Sequence, residues 1–469
     1  MSQAITDPQM TTKSTRWPAV VIAIMLLSAF GPYIAFGIRT DQVVVYALAP
    51  VLLLLRFTKL RATVWQLGAV ASWSLFAVFV AISTLTGTQP VSGSMVSEVD
   101  NILLPIAVSI IVLCCVTPDN RLHLLRVASA IIIIAACINV AIALLQINLG
   151  LEFTSAWLPL REESTATRAA TLGRYVGIMN QPALTGVFYG MALILSSWLL
   201  RRRPWLVSAI FVWLLIGGVI TLSKAFLFVA LPIAFVILLV IGRQRVLAPM
   251  ALFGTVTFAL YTYRDSVTVW LSSVFPQWSG LDRMAELFDS LDFAAITGNR
   301  FEDDRAGAII WDRVMADSPL AGFGAGGLDQ LPYDSAWIMA LMMGGIVGLG
   351  AVAATACVFA FGHLSYRSRR HPTEWWSLAG VIAVLIVSAW GTPVFSGDRL
   401  AVLVWVVVLL ALGPTLDARS GGIDPRRSAV PDRLSEGRVE VLGARDGGGG
   451  SLRGGPGQRQ LHLRRAASS

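Results

Sequence analysis

Long apolar runs, broken by short polar connections, set the pattern of this chain from Trp17 to Pro414. A hydrocarbon layer of ~30 Å takes ~20 mostly apolar residues at helical rise, and stretches of that kind recur throughout. They cover Trp17 to Ile38, Val43 to Leu55, Val64 to Leu85, Ile102 to Val116, Leu125 to Leu149 and Pro182 to Leu200. A second group covers Trp205 to Leu222, Ala225 to Ile241, Val246 to Tyr263, Ala336 to Phe361, Trp376 to Trp390 and Leu400 to Leu412. Each is expected to be helical, because lipid offers no partner to an exposed backbone amide. The pattern predicts an all-α, polytopic transmembrane bundle of about 12 spans. Lys13 and Arg16 ahead of the first run imitate a signal peptide, but the run is long enough to be a retained helix.

Charge gives the pattern a direction. Alternate connections are basic: Lys13 and Arg16; Arg56, Lys59 and Arg61; Arg121 and Arg126; Arg201 to Arg203; Arg243 and Arg245; Arg367, Arg369 and Arg370. The positive-inside rule places these in the cytoplasm, with both termini. The intervening short connections hold little positive charge, with Arg39, Lys224 and Arg399 each alone in theirs. Trp17, Trp65, Trp198, Trp205, Trp375 and Trp376 fall at run ends, where interfacial anchoring is expected.

Composition agrees: 55% hydrophobic and 14% charged residues do not describe a soluble globular chain. A net charge of +8 would suit nucleic acid, but the basic residues are dispersed between apolar runs, so orientation explains them more simply. Cys114, Cys115, Cys137 and Cys357 sit inside apolar runs without metal-site spacing and are expected to be buried thiols.

The organisation is a cytoplasmic N-terminus over 1–16, a transmembrane domain over 17–415 and a disordered cytoplasmic tail over 416–469, rich in glycine, serine and arginine. Two connections, 150–181 and 264–335, are too long to be turns and fall on the outer side. In the larger, Leu281, Met284, Leu287, Phe288 and Leu291 recur at helical spacing among acidic residues, predicting a surface amphipathic helix. Another helix is expected from about Ala306 to Ala316, capped by Asp303 or Asp304, with Pro319 beyond its end. Gly322, Gly324, Gly326 and Gly327 imitate a nucleotide fingerprint, but no βαβ unit frames them, so they read as a tight turn re-entering the membrane. No internal repeat is visible.

All four histidines fall on the cytoplasmic side of this register, so outward-facing chemistry has to use Asp, Glu, Arg, Lys, Tyr or hydroxyl groups. Arg174 lies just ahead of Asn180-Gln181-Pro182, and at that depth it either holds a phosphate by a bidentate fork or snorkels to the interface. Lys224, the only charge in its turn, faces the same two readings. Adjacent Asp303 and Asp304 suit helix capping better than a metal.

The order of these features resembles the O-antigen ligase and polymerase superfamily. Arg-x-x-Gly and Asn-x-Pro precede a span, and a Ser-Lys turn follows. A long outer loop then reads Arg, Trp311, Pro319-Leu320-x-Gly322-x-Gly324, Asp334-Ser335 and Gly344-Gly345-Ile-Val-Gly-Leu-Gly350. The resemblance covers about Arg174 to Gly350. It implies a metal-independent, GT-C-like membrane glycosyltransferase without cofactor, taking a glycan from undecaprenyl diphosphate at the outer face of the bacterial inner membrane. Possible partner proteins are a flippase and a chain-length regulator. By the same resemblance Arg174 and Lys224 hold the diphosphate, and Arg300 or Arg305 matches the loop arginine ahead of Trp311. Where the family's ligases carry a histidine, this chain has Tyr333-Asp334-Ser335, which is nearer to exopolysaccharide repeat-unit polymerases.

Cations suffice to neutralise a diphosphate leaving group, while an attacking sugar hydroxyl benefits from a carboxylate base. Asp334 is the candidate base, against a plain helix-capping role. The alternatives are a ligase-type glycan transferase and a 12-span transporter or flippase of lipid-linked oligosaccharide, although related halves would then be expected.

Overall fold

The computed structural model describes residues 16–35, 37–56, 60–86, 93–158, 164–242, 306–326 and 335–415, with four single positions between 262 and 273. The described chain is helical apart from one short hairpin. In order it runs α1 (Arg16–Ser28), β1 (Tyr33–Ala35), β2 (Ile38–Arg39), α2 (Thr40–Arg56), α3 (Val64–Thr86), α4 (Gly93–Cys115), α5 (Arg121–Leu149) and α6 (Thr165–Thr171). There follow α7 (Pro182–Leu199), α8 (Pro204–Thr221), a π-helical turn (Ala225–Ala230) leading into α9 (Leu231–Gly242), α10 (Ala306–Asp317), α11 (Ala336–Ser365), α12 (Pro372–Ser388) and α13 (Asp398–Leu412).

Every predicted run carries a helix except Val246 to Tyr263, which lies almost wholly outside the described residues, as do the amphipathic stretch around Leu281 and the tail. Among the described residues, six helices (α3, α4, α5, α7, α8 and α11) are long and apolar enough to cross a membrane. Their outward surfaces are greasy: Leu67, Leu85, Ile134 and Phe361 are among many large apolar side chains left exposed. A soluble protein would not tolerate so wide an apolar surface, so the chain is a membrane protein.

Some boundaries differ from the sequence expectation for local reasons. The first run does not stay helical to Ile38, because Gly31-Pro32 stops it and the chain turns back as an antiparallel hairpin pairing Tyr33 with Arg39. Helix α4 starts at Gly93 rather than Ile102, its early carboxylates being paired: Asp100 accepts from Tyr46 Oη at 2.7 Å, and Glu98 accepts from Gly326 N at 2.7 Å. Trp198 and Trp375 are buried rather than interfacial, and Trp375 stacks on His363 at 5.2 Å. Cys357 is exposed, not buried.

The bundle is organised around α13, whose residues from Arg399 to Leu412 are all buried. A helix end leaves its last carbonyls without intrahelical partners, and here four side chains from three other segments supply them. Gln66 Nε2 donates to Leu409 O at 2.9 Å, Arg121 Nε to Leu410 O at 2.8 Å, and Thr63 Oγ1 to Leu412 O at 2.8 Å. Arg370 Nη2 donates to Ala411 O. The two guanidinium groups suit the negative end of the helix dipole. Glu374 pairs with Arg121 and lies 3.9 Å from Arg370 Nε, balancing the charge. Burial and the Arg121 charge pull the Arg370 guanidinium down to about 9, against the opposing pull of Glu374 and Tyr366.

Side-chain contacts sort the connections into two ends. At one end Arg56 lies over the Trp17 ring at 4.5 Å, and Arg201 donates to Thr373 beside the α13 carboxyl terminus network. At the other end the β1–β2 hairpin, the stretch from Leu151 to Gln181, the α8–α9 turn, the stretch from Ser318 to Gly326 and the start of α13 come together. Among the described residues, Arg56, Arg121, Arg201 and Arg370 fall at the first end and the described parts of the two long connections at the second.

Candidate functional site

Helix α7 begins at Pro182, and the chain before it is not helical: from Tyr175 to Met179 it threads, buried, into the bundle beside α5. Irregular backbone at such depth needs partners for its amides and carbonyls. Asn139 and Gln146 supply them, seven residues apart and so on one face of α5. Gln146 accepts from Gly177 N at 2.9 Å and donates to Gly177 O at 2.8 Å. Asn139 accepts from Ile178 N at 2.8 Å and donates to Val176 O at 3.1 Å. Gly177 has φ 67°, and a Cβ there would collide with the Asn139 amide, so only glycine fits. Sequence reasoning missed both amides; the signal was two uncharged polar side chains inside a long apolar helix.

This anchored segment carries Arg174. Its Nε donates to Thr221 O and its Nη2 to Leu222 O, both at 3.2 Å, so the guanidinium sits on the end of α8. There the chain turns through Leu222 at φ 45°, and exposed Lys224 follows, immediately before the π-helical turn. Single π turns are frequent at functional sites. The two predicted diphosphate residues, distant in sequence, therefore meet at one turn.

The glycine-rich segment after α10 re-enters the bundle against a break in α11. Phe323 N donates to Met342 O at 2.8 Å, Gly324 N to Met343 O at 3.0 Å, and Ile346 N to Pro319 O at 2.9 Å. Gly345, at φ 60° and ψ −155°, interrupts the helix at this point, and a Cβ on it would overlap the Leu320 carbonyl carbon. Pro319-Leu-Ala-Gly-Phe-Gly324 and Gly344-Gly345-Ile-Val-Gly348 thus form one packed unit, fastened by Ser83 Oγ on Ala321 O and by Ala325 N on Thr84 Oγ1 at 2.8 Å.

Arg300, Arg305 and Asp334, with Asp303 and Asp304, lie outside the described residues. Beside Asp334, the α11 start is capped by Ser335, whose hydroxyl accepts from Trp337 N at 3.3 Å.

A charged cluster at the same end was not anticipated as a unit. Arg39 donates through Nη1 to Asp398 Oδ1 at 2.8 Å and through Nε to Asp41 Oδ1 at 3.1 Å, with Nη2 3.8 Å from Asp100 Oδ2. Asn180 Nδ2 donates to Asp398 Oδ2 at 2.9 Å and to Tyr33 Oη at 3.2 Å. Burial pulls the Arg39 guanidinium down, but Asp41, Asp398 and Asp100 together hold it above its ordinary value. Burial, then Asp398, pushes the Tyr33 phenol up.

Comparison of the sequence with models of protein families and with curated proteins returns no match.

Proposed function

We propose that this protein is a polysaccharide polymerase, joining undecaprenyl diphosphate-linked oligosaccharide repeat units at the outer face of the bacterial inner membrane. On this reading the chain crosses the membrane about 12 times, and the end that gathers the long connections faces outward. The observation that carries the proposal is the meeting of Arg174 and Lys224 at the α8 terminus, beside an irregular segment anchored by α5. The joining of the Pro-Leu-x-Gly-x-Gly and Gly-Gly-Ile-Val-Gly motifs into one unit supports the family resemblance as well.

In the proposed reaction the anomeric C–O bond to the diphosphate breaks as a sugar hydroxyl forms the new glycosidic bond. Arg174, Lys224 and a loop arginine, Arg300 or Arg305, neutralise the departing diphosphate, and Asp334 takes the hydroxyl proton. Cations aimed at developing charge contribute most when fixed in advance, and the α8 carbonyls fix Arg174.

The broken helix α11 also fits a lipid-oligosaccharide transporter, since discontinuous helices line transporter sites.

Arg174→Gln removes the charge and keeps one N–H donor group, near the place of Arg174 Nε, for the Thr221 carbonyl. The expected result in the native host is loss of long polymer, about 100-fold or more, with single lipid-linked repeats accumulating. Normal polymer from a correctly inserted Arg174→Gln protein would overturn the diphosphate role. Asp334→Asn is expected to give a comparable loss, and undiminished polymer would remove it as base.

A further inference from the structure

The end of the bundle opposite the Arg174 turn carries positive charge that the proposed reaction does not use. The connection from α7 to α8 reads Arg201-Arg202-Arg203, and the one from α11 to α12 holds Arg367, Arg369 and Arg370. Far apart in sequence, the two are fastened together. Arg201 Nη1 donates to Thr373 Oγ1 at 2.7 Å and lies 3.4 Å from His371 Nδ1. Arg201, Arg202, Arg203 and Arg367 are exposed. Glu374 is the only carboxylate from Leu200 to Leu206 or from His363 to Trp376, and it is buried against Arg121 and Arg370. Within the two connections no exposed carboxylate balances the guanidinium groups.

Membrane orientation asks only for positive charge in a loop. Here the charge is also gathered from two loops and partly ordered. Arg201 is held across the junction, and the Arg367 guanidinium lies over the Trp375 ring at 5.4 Å, so less freedom is lost when an anion binds. Apolar side chains stand next to the charge. Trp205, which follows the arginine triplet by two residues, is exposed, as are Phe361 and Leu364 near the end of α11. A ligand that meets both features is anionic at one end and apolar at the other. A phosphodiester accepts the planar arginine fork, and basic clusters of about 4–8 residues at span ends recruit anionic lipid.

We propose that the tethered α7–α8 and α11–α12 connections form a surface for an anionic phospholipid, whose headgroup phosphate is held by Arg202, Arg203 and Arg367. Arg201 ties the two connections together and so sets the spacing of those three. A headgroup bound across both connections fastens the α7–α8 pair to the α11–α12 pair. The inference goes beyond the polymerase reading and does not depend on it.

The probe is phosphatidylglycerol, titrated into the full-length protein in neutral detergent and read by native mass spectrometry, with phosphatidylcholine as the uncharged reference. Wild-type protein is expected to prefer phosphatidylglycerol at least about tenfold. The triple variant Arg202→Gln, Arg203→Gln, Arg367→Gln is expected to lose that preference. A second triple variant, Arg16→Gln, Arg61→Gln, Arg126→Gln, removes the same charge from other connections and is expected to keep the preference within about twofold. Should the first triple variant fail to insert, Arg202→Gln alone is expected to weaken phosphatidylglycerol binding about threefold or more. Wild-type protein without a preference overturns the proposal, and so does an equal loss in the two triple variants. Glycerol 3-phosphate is expected not to displace the lipid; displacement at matched concentration would mean a site for small phosphates and overturn the lipid assignment.

Discussion

Two glycines of α11, five residues apart, are expected to respond to the same substitution with opposite signs. Gly345 sits at φ 60° and ψ −155°, a region open in practice only to glycine. Forcing alanine into it costs about 1–3 kcal/mol in backbone strain. The new Cβ would also overlap the Leu320 carbonyl carbon and Ala321 N, backbone atoms that cannot rotate aside, which adds about 1–3 kcal/mol of overpacking. Gly345→Ala is therefore expected to destabilise the protein by about 2–6 kcal/mol. Gly350 lies in regular helix, with no atom within 4 Å of its would-be Cβ. Gly350→Ala is expected to stabilise by about 0.5–1 kcal/mol through helix propensity alone. Equilibrium unfolding in mixed micelles of increasing denaturing detergent reads both. A Gly345→Ala protein as stable as wild type, or a Gly350→Ala protein less stable than Gly345→Ala, would refute the packed junction of the two glycine motifs.

Glu374→Gln leaves Arg121 and Arg370 buried together without a carboxylate, and a loss of about 3–5 kcal/mol is expected in the same titration; a loss under 1 kcal/mol would mean that water already reaches the pair. Asn139→Leu orphans Ile178 N, at about 1–3 kcal/mol, and takes the Asn139 donor from Val176 O, which keeps Met179 N and Thr185 Oγ1; it is expected to speed hydrogen exchange at Ile178, whereas unchanged protection would show that the segment does not depend on α5. The Tyr33 phenol is held above 10.0 in the folded state, so the folded chain keeps a proton that the unfolded chain gives up. Stability should consequently fall as pH rises past about 10, and Tyr33→Phe should fall less steeply; identical alkaline profiles would count against the burial of that hydroxyl.

Apolar run length made the helices legible, because a membrane leaves the backbone no alternative to helix. Run length could not reveal that Gly31-Pro32 would end α1 early, nor that Asp100 and Glu98 would be paired and lie inside α4. Arg174 and Lys224 were visible as charges at run ends, yet the segment that carries Arg174 is held by Asn139 and Gln146 through its backbone, which leaves no motif. The Arg39 cluster was hidden for a different reason. Its carboxylates come from three helices far apart in sequence, and each alone looks like an ordinary loop charge. Glycine spacing was more informative: the turn read from Gly322 and Gly324 packs against Gly345, where only residues lacking a Cβ can approach so closely.

The central claim is tested most directly by wild-type protein purified into liposomes and supplied only with lipid-linked repeat units of the native host. The account predicts glycans of increasing length, with one undecaprenyl diphosphate released for each bond formed. Repeat units that cross the bilayer without growing would contradict it and assign the protein to transport.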